Sequence, residues 1–284
     1  MVAGLSQSGL PADQVKAIQA GFYRAINLVT PFYYQHNNVM FEYSKERGAR
    51  KDIWNTCNIT SLSMVLEAFG KTAADYDRSD RLGPVLAYFK GDLAGALDTT
   101  GTDLSGYRLP DVLGMAAVVE VLGGVDAPTD KQMEKAAGDA MEWVPNIKHL
   151  KILASRFGMD SSIEWYHHDE LAAYGKTHWK LARDQGLLRK KGKATSLEGL
   201  SDAAIESQVP LEQYRRGILA KLVPILDQGK QVVVGQFNHF VRLKTLDQDG
   251  VTKDDPGDPR GATIRHTWEE VRALGLFENF LIVG

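Results

Sequence analysis

One cysteine, Cys57, stands in a chain of 284 residues. A lone cysteine excludes an intramolecular disulfide, so folding does not depend on an oxidising compartment. Apolar runs long enough to cross a bilayer are missing as well. The opening "MVAGLSQSGLPADQ" lacks the basic start and apolar stretch of a secretory signal. The expectation is therefore synthesis in the cytoplasm without a signal peptide, with any export by a non-classical route or by release on lysis. Positive charge is not in excess: the net charge is −3, which gives no electrostatic footing for a nucleic-acid partner. There is no HExxH, no CxxC pair, no Gly-rich phosphate loop and no G-x-S-x-G, so zinc-peptidase, nucleotide and serine-hydrolase signatures are all missing.

Apolar residues make up 44% and charged residues 24%, as in ordinary globular proteins. Periodicity predicts helices over 11–29, 57–69, 109–122, 129–142, 146–156, 169–185 and 211–227, with Gly70 ending the second. Near residue 230 the pattern changes. "KQVVVGQF" reads as a buried strand and "HFVRLKTL" alternates. "DQDG" is a turn, "VTKDDP" a returning strand stopped by Pro256, and "FENFLIVG" a final strand. "TWEEVRALG" is a short helix, with Thr267 and Glu270 at capping-box spacing. Helices first and an antiparallel sheet last define an α+β fold.

Cys57 opens "CNITSLSMVLEAFG". A helix N-terminus favours an anion, and the thiolate is the reactive form of cysteine. A small buried core residue is the competing reading. The C-terminal hairpin bears on the choice. His239 opens one strand and Asp255 closes the next, so a turn near Gln248 and Asp249 brings them almost opposite each other, on the face of Val241 and Val251. An imidazole held by a carboxylate is the base-and-orienter arrangement of nucleophilic catalysis.

These segments, "CNITSLSMVLEAFG", "GKQVVVGQFNHFVRLKTLDQDGVTKDDPGD" and "TWEEV", resemble the papain-like cysteine peptidases of the bacteriocin-processing (double-glycine) type. The resemblance implies one papain-like domain over 1–284. It would have an N-terminal helical part, a C-terminal antiparallel sheet, and a helical insertion over 72–210 between the nucleophile helix and the catalytic hairpin. It implies Cys57 as nucleophile, His239 as general base and Asp255 as orienting acid, with no cofactor and no metal. Two positions depart from the family: Lys51 stands where a glutamine is common, and Asn58 where glycine is common. The oxyanion donors would be the Cys57 N–H and a side-chain amide, Asn55 by proximity and Gln35 of "YYQHNN" in reserve, although Asn55 also reads as an ordinary helix cap.

The implied activity is amide hydrolysis through an acyl-enzyme on a peptide or peptidoglycan substrate, as in a phage lysin or a secreted toxin, with an immunity or inhibitor protein as a second partner. The alternatives are a transferase or deamidase with the same triad, or a binding protein on a degenerate peptidase scaffold. Two clusters compete for attention. His167, His168, Asp169 and Glu170 offer metal-ligand chemistry, but neighbours on a helix point in different directions. Arg189, Lys190, Lys191 and Lys193 read as a solvated loop or a contact for an anionic polymer. Trp143, Trp165 and Trp179 read as core or groove lining.

Overall fold

A computed structural model describes residues 31–39, 56–92, 104–143, 146–165, 188–189, 193–194, 210–236, 239–274 and 279–284. Among these, seven α-helices flank a six-stranded antiparallel sheet, a mixed α+β fold. The helices are α1 (Cys57–Ala68), α2 (Leu82–Asp92), α3 (Leu109–Leu122), α4 (Asp130–Trp143), α5 (Ile147–Ser155), α6 (Leu211–Asp227) and α7 (Trp268–Leu274). The strands are β1 (Ser161–Trp165), β4 (Gln231–Gln236), β5 (His239–Leu246), β6 (Gly250–Asp254), β7 (Ile264–Thr267) and β8 (Asn279–Val283), in the order β1-β8-β4-β5-β6-β7; β2 (Leu188–Arg189) and β3 (Lys193–Ala194) form a separate pair.

Strand alternation divides the core between two faces. Val233, Leu281 and Val283 join the cluster built by α1 to α5, whereas Val232, Val234, Val241, Leu243, Val251, Phe280 and Ile282 pack under α6 and α7. On α6, Tyr214, Ile218 and Leu222 recur at four-residue spacing and are buried, the stripe a helix needs to cover a sheet. Helix α3 is buried along most of its length, consistent with packing against α1, α2, α4 and α5.

Helix α1 lies on β4 and β5. Its end is the expected one: Gly70 takes a φ of +73° and its N–H reaches Glu67 O at 2.9 Å, a conformation that glycine adopts without strain. The Thr267–Glu270 capping box forms, with Thr267 N donating to Glu270 Oε2 at 2.8 Å and Glu270 N to Thr267 Oγ1 at 3.3 Å. The expected hairpin forms too, although a bulge between Leu243 and Thr245 shifts its register.

Two features differ from expectation. The stretch 72–210 is not helical throughout, because β1 pairs with β8 at the edge of the main sheet. Its helices α3 and α5 also share one core with α1. Strand β7 was unexpected. The helices expected over 11–29 and 169–185 lie outside the described residues.

Candidate active site

The site begins at the first turn of α1. Cys57 is 2% exposed and carries the protein's only thiol. The preceding residue, Thr56, makes no side-chain cap, so its hydroxyl does not take up the first-turn N–H groups. It serves instead as a strut: Thr56 Oγ1 donates to Gln35 O at 3.1 Å and accepts from Asn38 Nδ2 at 3.1 Å. Asn38 Nδ2 also reaches Thr60 Oγ1 at 2.7 Å. Farther along α1, Ser61 Oγ donates to Phe240 O at 3.1 Å, fixing the helix to β5 next to His239.

His239 lies between the two other expected triad members. Its Nε2 is 2.6 Å from Asp255 Oδ1. Cys57 lies close enough to this ring for its charge to act on the imidazole. The three residues expected from the sequence therefore stand together. Burial alone would lower the His239 pKa, but negative charge on Cys57 and the hydrogen bond to Asp255 outweigh it and raise the value to about 10. Burial also opposes ionisation of Asp255. The His239 ring and then the Lys253 ammonium overcome this and hold the carboxyl well below the usual carboxylate range.

Asp255 sits where β6 gives way to a tight loop. Its Oδ1 also accepts from Gly257 N at 3.0 Å. Asp255 N donates to Gly261 O at 2.8 Å, and Gly261 N to Asp258 O at 2.8 Å. A side chain at Gly257 would place Cβ 3.1 Å from His239 Cε1 and 3.2 Å from Asp255 Oδ1. A side chain there would press on the histidine–aspartate pair, because the loop backbone runs against it.

Alternation along β6 separates two adjacent aspartates. Asp254, fully buried, accepts from Arg242 Nη1 at 3.3 Å and Thr263 N at 2.8 Å and pairs with Lys244 Nζ at 3.2 Å. Asp255, one residue on, faces the other way, towards His239. A buried structural ion cluster and the candidate catalytic carboxylate are thus neighbours in sequence with separate partners.

Of the two amides expected to support an oxyanion, Asn55 lies outside the described residues. Gln35 is buried in a short 3-10 turn, Gln35–Asn37. Its N–H donates to Pro256 O at 2.9 Å, and its carbonyl accepts from Thr56. It therefore ties the residue after Asp255 to the residue before Cys57. Among the described residues its side-chain Oε1 has no hydrogen-bond partner. Asn58, the other departure from the family pattern, is buried and turns its Oδ1 back to Ile59 N at 2.8 Å. Lys51, the metal-ligand cluster at 167–170 and the side chains of the basic cluster lie outside the described residues.

Comparison of the chain with protein-family models, curated proteins and solved structures finds no match. The functional reading rests on this geometry.

Proposed function

We propose that the protein is a papain-like cysteine hydrolase that cleaves an amide bond through Cys57, His239 and Asp255. One observation carries the reading: the His239 ring that lies 2.6 Å from the Asp255 carboxylate also feels the charge of Cys57. A nucleophile-bearing helix laid on an antiparallel sheet that supplies the histidine and the acid agrees with the papain-like assignment.

The chemistry follows from the charges. His239 takes the proton of the Cys57 thiol, and the sulfur attacks as a thiolate. Sulfur adds to the carbonyl carbon, and the carbonyl oxygen becomes an oxyanion, supported by the Cys57 N–H and the Gln35 amide. The imidazolium gives its proton to the leaving nitrogen, the C–N bond breaks and a thioester remains. Water then attacks the thioester while neutral His239 takes its proton. The C–S bond breaks, the acid leaves, and the thiolate–imidazolium pair is restored. Asp255 fixes the ring orientation and supports its positive charge.

The substrate we put first is peptide, in particular the stem peptides or cross-links of peptidoglycan. The test incubates wild type and Cys57→Ala with purified sacculi and with a denatured protein, with and without added amines, and reads the products by mass spectrometry. Cleavage by wild type alone supports the hydrolase. Amine adducts in place of free acids would make the enzyme a transferase. No Cys57-dependent product on either substrate would remove the proposed substrate class.

A further inference from the structure

Among the described residues, Lys253 is the charged group at the triad for which the mechanism above has no use. Lysine in a strand normally reaches solvent, because burying an ammonium is costly unless it is paired. Here Lys253 is 3% exposed, and its Nζ donates to Asp255 Oδ2 at 3.0 Å. Lys253 on β6 stands two residues before Asp255, which follows the strand's last residue, and both turn to one face. The carboxylate is thereby divided: Oδ1 serves His239 and Gly257 N, and Oδ2 serves Lys253.

Among the described residues, the charged groups around this pair come from β5, β6, β7, α1 and α7. His239 stands on β5 and Cys57 on α1. His266 on β7 is held 3.5 Å from Glu270 of α7, and its pKa is lowered by burial and then by the like charge of Lys253. Arg242, Lys244 and Asp254 form their own cluster on the opposite face. Asp255 is therefore the carboxylate that Lys253 engages.

We propose that Lys253 is a positioning residue of this site: by holding Oδ2 it stops the Asp255 carboxylate from rotating and keeps Oδ1 on His239 Nε2. The proposal rests on the triad reading above. Two effects follow. The carboxylate presents one fixed lone pair to the imidazole, and a buried positive charge offsets the two negative ones at Asp255 and Cys57. Without Lys253 the Asp255 carboxylate loses one of the two cations that favour its charge.

The test measures alkylation of Cys57 by iodoacetamide across about pH 4 to 10 in wild type, K253M, K253Q, K253R, D255N and H239A, with thermal melting of each. Cys57 is the sole cysteine, so the signal belongs to one atom, and the assay needs no substrate. The acid limb of the alkylation profile should move up by about one pH unit in K253M and K253Q, while K253R keeps the wild-type limb. K253Q is read the same way where K253M does not fold. Uncharged variants that overlay wild type, while H239A and D255N depart from it, would overturn the proposal and leave the triad standing. A K253R limb displaced as far as that of K253M would also overturn it. Profiles that are all alike, H239A included, would remove the triad reading itself.

Discussion

His239 Nε2 and Asp255 Oδ1 lie 2.6 Å apart, although they come from the start of one strand and the end of the next. The antiparallel pairing of β5 with β6, in which Arg242 opposes Asp254, brings their ends together. If this contact orients the imidazole towards Cys57, Asp255→Asn should lower kcat by about a hundredfold or more. His239→Ala should abolish turnover while circular dichroism shows the fold retained. An unchanged rate in His239→Ala would take the ring out of the mechanism.

Gly257 makes a sharper test, because it contributes no side chain of its own. A methyl there would press on His239 Cε1 and Asp255 Oδ1, and the loop would have to shift or the ring tilt. Gly257→Ala should therefore reduce kcat by about tenfold with little change in Tm, because displacing reacting groups by a fraction of an ångström is costly to rate. A crystal structure of the variant should find the His239–Asp255 distance lengthened. Wild-type kcat with the bond intact would refute this.

Legibility of the fold followed the physics of each element. Helix α1, its glycine stop, the β5–β6 hairpin and the capping box were readable because each is set by local spacing. Strands β1 and β7 were not. They are the two edges of the sheet, and an edge strand needs no continuous apolar run; in β7 Ile264 and His266 are half-buried between exposed Arg265 and Thr267. Asp255 could be chosen over Asp254 because strand alternation puts only one of them on the histidine's face. Gln35 ranked behind Asn55 because chain proximity favours Asn55. The bonds that bring Gln35 to the site run to Thr56 and Pro256, and no local pattern encodes them. Lys253 gave no signal, since nothing in "VTKDDP" says that its ammonium is buried.

The raised His239 pKa makes a statement about stability. A base whose folded pKa lies above its unfolded value binds its proton more tightly in the native state. Its contribution is full below the unfolded value of 6.5 and is lost as pH rises towards about 10. Wild type should therefore lose Tm between these limits by more than His239→Gln does, and the two curves should converge at the alkaline end. Melting followed across this window checks it; parallel curves would mean that His239 carries no linked proton.

Gln35 offers the last prediction, and it separates two kinds of Cys57 chemistry. Alkylation by iodoacetamide displaces iodide at a saturated carbon and builds no oxyanion, whereas amide hydrolysis does. If the Gln35 amide supports that oxyanion, Gln35→Ala should cut kcat by about a hundredfold and leave the alkylation rate of Cys57 at the wild-type value. Asn38→Ala, which removes the buried amide joining Thr56 to Thr60, should behave differently, lowering Tm because hydroxyls at the start of α1 lose a donor. A Gln35→Ala protein that hydrolyses substrate at the wild-type rate would shift the role to another amide, with Asn55 the first to replace. One that loses alkylation and hydrolysis together would assign Gln35 to holding the loop between Thr56 and Pro256, since only a displaced thiol or imidazole slows both reactions.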